Sequence, residues 1–275
     1  MNARSPTPLP DRQRQLLALL DALGDGVRDA ELWGLLVLYG QEAGVTAPYE
    51  VVWSAAGPVS FTCDADRRKL VERGFLVEGR ARWELTELGR SEATKHAGPA
   101  IRAFARGRGA LRGAALGAVV QQSAVLGSVE GPVLATIGYE GRSLEGYLNE
   151  LLRAGVTLLC DVRRNPLSRK FGFAKGTLAK ACATVGIRYE HLPELGIASE
   201  QRKSLETQAE YDALFDEYAR ETLPREGAAL SKIEGWMRAG ERVALTCYEK
   251  APEQCHRHCV ADVLEQRLDV KARGL

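Results

Sequence analysis

The order of the predicted elements favours an α/β protein with a parallel sheet, preceded by a smaller and mainly helical domain. Three observations lead to this prediction. Residues 11–96 show helical spacing of leucines and then a hairpin pattern, residues 97–129 carry arginines and no acidic residue, and short apolar runs alternate with amphipathic helices from residue 132. Such alternation predicts a parallel sheet with helices on both faces. A length of 275 residues accommodates two domains of ordinary size.

The composition excludes several classes of protein. Hydrophobic residues make up 45% and charged residues 27% of the chain, as in globular proteins. The 37 Lys and Arg residues nearly cancel 36 Asp and Glu residues, which excludes a histone-like polycation. The stretch Ala114 to Leu126 is too short for a bilayer, and the N-terminus lacks the apolar core of a secretory signal. Six cysteines without framework spacing favour a cytoplasmic location.

The N-terminal domain is predicted to span residues 11–96, after a flexible arm at residues 1–10 that contains three prolines. Two leucine-rich helices precede a third, Asp64 to Arg73. Two short strands then flank a turn at Gly79, and a helix follows. Three helices and a hairpin in this order predict a winged-helix-like domain.

One segment of this domain resembles a known family. The segment reads GPVSFTCDADRRKLVERGFLVEGRARWELTELGR and is similar to the winged-helix part of the SocA-like (Panacea) antitoxin domains, with the wider resemblance covering roughly residues 12–95. The resemblance implies a module that binds nucleic acid. The alternative is a module that mediates only protein contacts or dimerisation.

Residues 97–131 are predicted to form a basic linker between the two domains. Four arginines lie there in two pairs with a spacing of four residues: Arg102, Arg106, Arg108 and Arg112. On a helix this spacing gives a basic stripe suited to DNA phosphates, so these arginines are assigned to DNA binding. The alternative is a solvated linker helix whose guanidinium groups stay in water.

Buried strands are predicted in the C-terminal domain, residues 132–275. Apolar patterns predict two buried strands, Val133–Gly138 and Val156–Val162, and two further strands are predicted at Ile187–Leu192 and Arg242–Cys247. In open α/β sheets, ligands bind beyond the carboxyl ends of the strands. The residues at these ends are therefore candidates for a shared site.

Acidic, basic or aromatic side chains stand at the end of each predicted strand. They are Tyr139 and Glu140, Asp161 and Arg163, His191 and Glu194, Tyr248 and Glu249, with His256 and Arg257 opening the last helix. Because parallel strands end at one edge of a sheet, we expect these sets in one crevice. Asp161, Arg163 and Arg257 should then approach to roughly 3 to 6 Å, one hydrogen-bond shell or one bridging water.

The same segments carry the stronger resemblance. They read TIGYEGRSLEGYLNELL, CDVRRNPLSRKFGF, IRYEHLPELG and ALTCYEKAPEQCHRHCVADVL, and in order and spacing they resemble the family catalogued as domain of unknown function 488. The resemblance implies a Rossmann-like α/β domain and no settled reaction. Tyr139 stands where many members have His, which argues against a general base there because tyrosine is protonated at neutral pH.

Two kinds of chemistry suit the crevice. His256 and Arg257 at a helix N-terminus, with Arg163, are candidates for binding a phosphate, although Arg163 is alternatively a structural partner of Asp161 or Glu249. The second kind is catalysis by carboxylates. Asp161 and Glu249 are the candidate catalytic residues, since a carboxylate beside arginines can orient water or stabilise an oxocarbenium-like centre.

Aromatic side chains complete this hypothesis. Tyr139, Phe171 and Tyr248, with Phe173, offer stacking surfaces for a base. The sequence therefore favours a hydrolase that acts on nucleic acid or nucleotides in DNA repair or genome defence, with DNA glycosylase-like cleavage of an N-glycosidic bond as its specific form. DNA or a nucleotide is the expected partner, and no membrane or cofactor is expected.

Two further interpretations stay open. A non-catalytic DNA-binding regulator would use the crevice to sense a nucleotide. A redox or zinc-binding protein would use the cysteines and histidines between Cys247 and Cys259. No metal ligands are assigned, because this spacing differs from the paired knuckles of structural zinc sites, and a phosphatase-like cysteine loop is ruled out by the position of Arg257.

Overall fold

The computed structural model describes residues 8–24, 26–44, 46–54, 57–79, 82–121, 133–202 and 205–275. The chain folds into two compact units, an N-terminal unit (Met1–Val125) and a C-terminal unit (Leu126–Leu275). Most of the predicted flexible arm and the last part of the predicted basic linker lie outside the described residues.

The N-terminal unit is mainly helical. Its helices are α1 (Asp11–Leu23), α2 (Asp29–Glu42), α3 (Phe61–Glu72), α4 (Glu87–Thr94), α5 (Pro99–Arg108) and α6 (Gly113–Gln121). Side-chain caps fix two of the starts: the Ser60 hydroxyl accepts the N–H of Cys63 before α3, and the Thr86 hydroxyl accepts the N–H of Gly89 before α4. Buried leucines of α1 and α2 form the centre of the unit's core.

Short strands join these helices, and they pair differently from the predicted hairpin. The strands are β1 (Val27–Arg28), β2 (Val52–Ser54), β3 (Gly57–Val59) and β4 (Arg82–Trp83). β4 pairs antiparallel with β1, and β2 pairs with β3. The residues before the predicted turn contribute a single bridge, Leu76 to Leu85. The winged-helix identity of this unit therefore stays a prediction.

The C-terminal unit contains the predicted parallel sheet. Its strands are β5 (Leu134–Gly138), β6 (Leu158–Asp161), β7 (Arg188–His191), β8 (Val243–Cys247) and β9 (Ala272–Gly274). All pair in parallel, in the order β7-β6-β8-β5-β9. The four predicted strands are all present. The fifth strand, β9, was not predicted because Ala-Arg-Gly has no apolar pattern.

Helices flank this sheet. They are α7 (Leu144–Arg153), α8 (Lys175–Thr184), α9 (Gln208–Glu217), α10 (Gly227–Arg238) and α11 (Arg257–Leu268). Ser143 caps α7 by accepting the N–H of Gly146 at 3.0 Å. In the described parts of the chain, no helix has the length and apolar character that crossing a membrane requires.

The sheet order brings the ends of β5, β6 and β8 side by side. Asp161 is in register with Thr246, and Gly138 with Cys247. Gly138 permits a close approach, because a Cβ atom there would overlap the backbone carbonyl of Glu249. The turn after β8 therefore packs directly against the end of β5.

Candidate functional site

A cavity of about 490 Å³ lies beyond the carboxyl ends of β5, β6 and β8, the edge at which ligands bind in such sheets. Most of its wall comes from the segment Arg163–Lys170 after β6 and from Cys247–Glu249 at the end of β8. Tyr139, Ile197 and His256 also line it. The predicted crevice is thus built from three strand ends and the start of α11.

Cationic side chains outnumber carboxylates in the cavity wall. The cationic residues are Arg163, Arg164, Arg169 and Lys170, and Glu249 supplies the carboxylate. Arg164 and Arg169 are exposed, whereas Arg163 is buried. Lys170 donates to the carbonyl of Tyr139 at 2.8 Å, and partial burial lowers its pKa. The excess of positive charge favours an anionic ligand.

Asp161 and Arg163 form a buried ion pair behind this wall. The Arg163 guanidinium donates to the two carboxylate oxygens of Asp161 at 2.8 and 2.5 Å, and the hydroxyl of Tyr189 donates to the same group at 2.6 Å. Burial acts to lower the pKa of Arg163, but hydrogen bonding and attraction to Asp161 outweigh it and raise that pKa. Asp161 is fully buried. Its contacts match the structural alternative considered for this pair.

Arg163 also joins the ion pair to an aromatic cluster. It donates to the Tyr139 hydroxyl at 2.9 Å and to the Phe173 carbonyl at 3.0 Å. The rings of Tyr139 and Phe173 are stacked with centroids 4.4 Å apart, and Tyr248 contacts Tyr139 edge-on at 5.2 Å. Tyr139 and Phe173 are buried, while Tyr248 and Phe171 are 45% and 46% exposed. Of the predicted stacking residues, Tyr248 is both exposed and part of the cavity wall.

Glu249 is held in the turn after β8, which residues from two other elements fix in place. The N–H of Lys250 donates to the Glu140 carboxylate at 3.0 Å, and the N–H of Glu140 donates to the carbonyl of Tyr248 at 2.9 Å. The Cys247 thiol donates to a Glu249 carboxylate oxygen at 3.3 Å. Glu140 therefore positions the turn. Glu194, the other predicted carboxylate, is exposed in a 3-10 turn after β7.

Arg257 and His191 form hydrogen bonds to backbone carbonyls and are not among the residues that line the cavity. Arg257, 1% exposed, donates to the carbonyls of Glu249 and Lys250 at 2.5 and 3.0 Å. His191 bonds through Nε2 to the carbonyl of Arg163 at 2.9 Å. These contacts shape the turns around the cavity. In the hydrogen bonds described above, Arg163 is the arginine that donates to Asp161, and the Arg257 guanidinium takes no part in them.

His256 lies with two thiols at the end of β8. One ligand atom from each of Cys247, Cys255 and His256 lies within 4.8 Å of the other two, and all three residues are buried. Burial raises the pKa of the Cys255 thiol. Cys259 lies elsewhere, with its sulfur 3.3 Å from Nε2 of His258. Chemically, two thiols and an imidazole suit a soft metal ion.

The sequence leaves a zinc or redox role open for the cysteines and histidines between Cys247 and Cys259, but their spacing along the chain does not show that Cys247, Cys255 and His256 come together. Cys255 and His256 precede the first residue of α11, and Cys247 reaches them from the end of a strand. A cysteine that ends a buried strand, followed eight residues later by Cys-His before a helix, is the signal that would have indicated it.

The predicted DNA-binding arginines lie in the N-terminal unit on more than one element. Arg102 and Arg106 are exposed on α5. Arg108 pairs with Glu42 at 2.8 Å. Arg112 lies between α5 and α6 and donates to backbone carbonyls, among them that of Leu23 at 3.2 Å. A single helical stripe of all four is therefore not formed.

The fold and the site define the C-terminal unit as a Rossmann-like α/β domain with a cationic cavity at the carboxyl edge of its sheet. Residues 143–264 match the family model described as Domain of unknown function DUF488. This match confirms the resemblance expected for the C-terminal domain. The comparison does not bear out the SocA-like resemblance of the N-terminal part, which stays a prediction. No curated protein and no solved structure matches the chain.

Proposed function

We propose that the C-terminal unit is a hydrolase that acts on a nucleotide or nucleic acid, with Glu249 as its catalytic carboxylate. One observation carries the proposal: Glu249 lines the same cavity as four cationic side chains. A carboxylate beside cations stays ionised at neutral pH. In that state it can accept a proton from water or stabilise a developing positive centre.

The cationic side chains supply the phosphate-binding part of the proposal. Arg164 and Arg169 are exposed at the cavity, and Lys170 lines it with its ammonium 5.5 Å from the ring centre of Phe173. Arginine binds phosphate through paired N–H groups. Arg163 contributes charge but is committed to Asp161, so we assign phosphate binding to Arg164, Arg169 and Lys170.

Tyr248 supplies the base-binding part. Its ring is 45% exposed and adjoins Glu249 in sequence and in the cavity wall. Stacking of a base on such a ring contributes about 1 to 3 kcal/mol whatever the base. A base on Tyr248 with its phosphate on the arginines would bring the sugar between them toward Glu249. Cleavage of the N-glycosidic bond, as in a DNA glycosylase, is therefore the specific reaction that we propose, with a role in DNA repair or genome defence.

Glu249 takes this role in preference to Asp161. Asp161 is fully buried and accepts hydrogen bonds from Arg163 and Tyr189. Removing it would break a buried ion pair, so loss of activity in an Asp161 variant would not identify a catalytic residue. Glu249 lies on the wall itself.

The test is incubation of the full chain with a panel of damaged and modified oligonucleotides, read out as abasic sites and strand breaks. We expect product from at least one substrate, and a loss of roughly 100-fold or more in turnover for Glu249→Gln, as for removal of a general base. Glu194→Gln is the matched control, because Glu194 is an exposed carboxylate at a neighbouring strand end. It should retain wild-type turnover.

Two results would contradict the proposal. Equal turnover of Glu249→Gln and wild type would remove Glu249 from the chemistry. Tight binding of a nucleotide without product from any substrate would support the second candidate function, a DNA-binding regulator that senses a nucleotide in the same cavity.

A further inference from the structure

Two thiols and one imidazole lie together beside the cavity, at the end of β8 and just before α11. Cys247 is the last residue of β8, and Cys255 and His256 directly precede α11. One ligand atom from each lies within 4.8 Å of the others. Cys247 and His256 line the cavity, so the group adjoins the space assigned above to substrate.

The hydrogen bond of His256 leaves one ring nitrogen available as a ligand. Nε2 lies 2.9 Å from the backbone carbonyl of Val162. A carbonyl oxygen only accepts, so Nε2 donates its N–H, and in the neutral ring the lone pair is on Nδ1. Nδ1 lies 3.9 Å from the sulfur of Cys247. Histidines that bind metals usually donate their other N–H to a carbonyl or carboxylate, which fixes the tautomer and the ring.

The distances suit a tetrahedral ion after a small contraction. Zinc lies about 2.3 Å from sulfur and about 2.0 Å from imidazole nitrogen, which places its ligand atoms roughly 3.5 to 3.8 Å apart. The observed separations of up to 4.8 Å exceed this by about 1 Å. Metal binding therefore requires these ligand atoms to move closer together by up to about 1 Å.

We propose that Cys247, Cys255 and His256 bind one Zn²⁺ ion whose fourth position faces the cavity. Two thiolates and an imidazole select zinc over the harder ions Mg²⁺ and Ca²⁺, which take oxygen ligands. Sites with three protein ligands and an open position are typical of catalytic zinc. The carboxylate of Glu249, 3.3 Å from the Cys247 sulfur, lies beside this position. Metal binding does not depend on the proposed hydrolysis and is measured without substrate.

A disulfide between the two cysteines is the competing arrangement. A disulfide would join only the two sulfurs, and Nδ1 of His256, 3.9 Å from the Cys247 sulfur, would take no part in it. All six cysteines are thiols in the structure. The other thiol near α11, Cys259, contacts His258 and the carbonyl of Phe215, so it serves as a control cysteine.

The experiment is a titration of the full chain with Co²⁺, after purification under reducing conditions and removal of metal with a chelator. Co²⁺ occupies zinc sites and absorbs visibly when it is tetrahedral and bound to thiolate. We expect saturation at one Co²⁺ per chain, a thiolate-to-cobalt band, and bleaching by Zn²⁺. Cys255→Ser and His256→Ala should weaken Co²⁺ binding at least tenfold, while Cys259→Ser should bind as the wild type does.

Thermal unfolding gives a second measurement of metal binding, and it can also be made on variants that have lost the site. Excess Zn²⁺ should raise the Tm of wild type and of Cys259→Ser, because binding to the folded state stabilises it, and leave that of Cys255→Ser unchanged. The inference is overturned by a wild type without a thiolate-to-cobalt band, or by a band that survives Cys255→Ser and is lost in Cys259→Ser. A native Cys247–Cys255 disulfide in a protein that takes up no metal after reduction would overturn it too.

Discussion

At the residue scale, Asp161 shows how an environment decides what a side chain does. The sequence makes it a candidate catalytic residue, because it is a carboxylate at the end of a buried strand with an arginine two residues later. In the structure that arginine binds it through two hydrogen bonds, with no exposure of the carboxylate. Arg257 was likewise expected on a phosphate and instead donates to two backbone carbonyls. Residue type and strand position located these side chains, but only tertiary contacts show which of them line the cavity.

The ion pair gives a prediction about stability. Asp161→Asn should lower the free energy of unfolding by about 3 to 5 kcal/mol, because it leaves the Arg163 charge buried without its partner. Glu249→Gln should change it by less than about 1 kcal/mol, since Glu249 lies on the cavity wall. Urea unfolding of the full chain, followed by circular dichroism, measures both. An Asp161→Asn protein as stable as wild type would contradict a structural role for the pair.

At the element scale, four strands of the sheet are predictable from local patterns and the fifth is not. β5, β6 and β8 are buried and largely apolar, and the half-exposed strand β7 is flanked by Ile187 and Leu192, whereas the edge strand β9 is Ala-Arg-Gly and gives no such signal. The pairing of β1 with β4 joins residues 27–28 and 82–83, a separation that local patterns do not encode. Parallel topology, by contrast, follows from alternation and correctly placed the cavity at the carboxyl edge.

The contact between β5 and the turn after β8 can be tested at Gly138. Gly138→Ala should destabilise the C-terminal unit by about 1 to 3 kcal/mol or displace the turn, because the new methyl group would overlap the carbonyl of Glu249. Gly176→Ala is the control, since Gly176 lies on α8 with open space around its Cβ position. It should be neutral or slightly stabilising. Thermal unfolding compares the two, and equal Tm values would argue against the close approach.

The first turn of α2 gives a prediction about pH. A hydrogen bond from Arg28 is the main cause that lowers the pKa of Glu31 to about 2, and the N–H of Gly113 also donates to this carboxylate. In an unfolded chain this pKa is about 4.3. Because the folded pKa is the lower one, ionised Glu31 stabilises the fold above the unfolded pKa, and this contribution is lost as the pH falls toward 2.

Glu31→Gln should therefore lower the free energy of unfolding by about 1 to 2 kcal/mol at pH 7. The effect is modest because Arg28 is exposed to solvent, which weakens its attraction to Glu31. The difference from wild type should shrink steadily between about pH 5 and pH 2. Urea unfolding at a series of pH values, followed by tryptophan fluorescence, measures it. A difference that stays constant over this range would show that the charge of Glu31 does not stabilise the fold.

At the scale of the whole molecule, we propose that the N-terminal unit binds DNA. This would strengthen the binding of a nucleic acid whose nucleotide occupies the cavity of the C-terminal unit. The sequence predicts one stripe of four arginines, but in the structure these arginines differ in exposure and in their contacts. Arg102 and Arg106 are exposed, and Arg102 also donates to the nearby carbonyl of Ala97, whereas Arg108 pairs with Glu42 and Arg112 donates to backbone carbonyls that include that of Leu23. Charge could be counted from the sequence, but the internal partners of two of the arginines depend on residues far away along the chain.

This division predicts unequal effects on DNA binding. Replacing Arg102 and Arg106 by Ala should reduce the slope of log K against log salt by up to about 2, roughly 0.9 for each phosphate that is no longer neutralised. The matched double variant of Arg108 and Arg112 should change the slope by less than half as much. Fluorescence anisotropy with duplex DNA at several salt concentrations gives both slopes. Identical slopes for the first variant and wild type would exclude Arg102 and Arg106 from phosphate binding.

In the proposed function, the cavity holds a nucleotide with its phosphate on the arginines and its sugar at Glu249. A crystal structure of the full chain as Glu249→Gln, soaked with a nucleoside 5′-monophosphate, tests it most directly. We predict phosphate density against Arg164, Arg169 or Lys170, a base stacked on Tyr248, and the sugar beside residue 249. The proposal would be contradicted if the nucleotide bound elsewhere on the chain and the cavity held only solvent at saturating ligand.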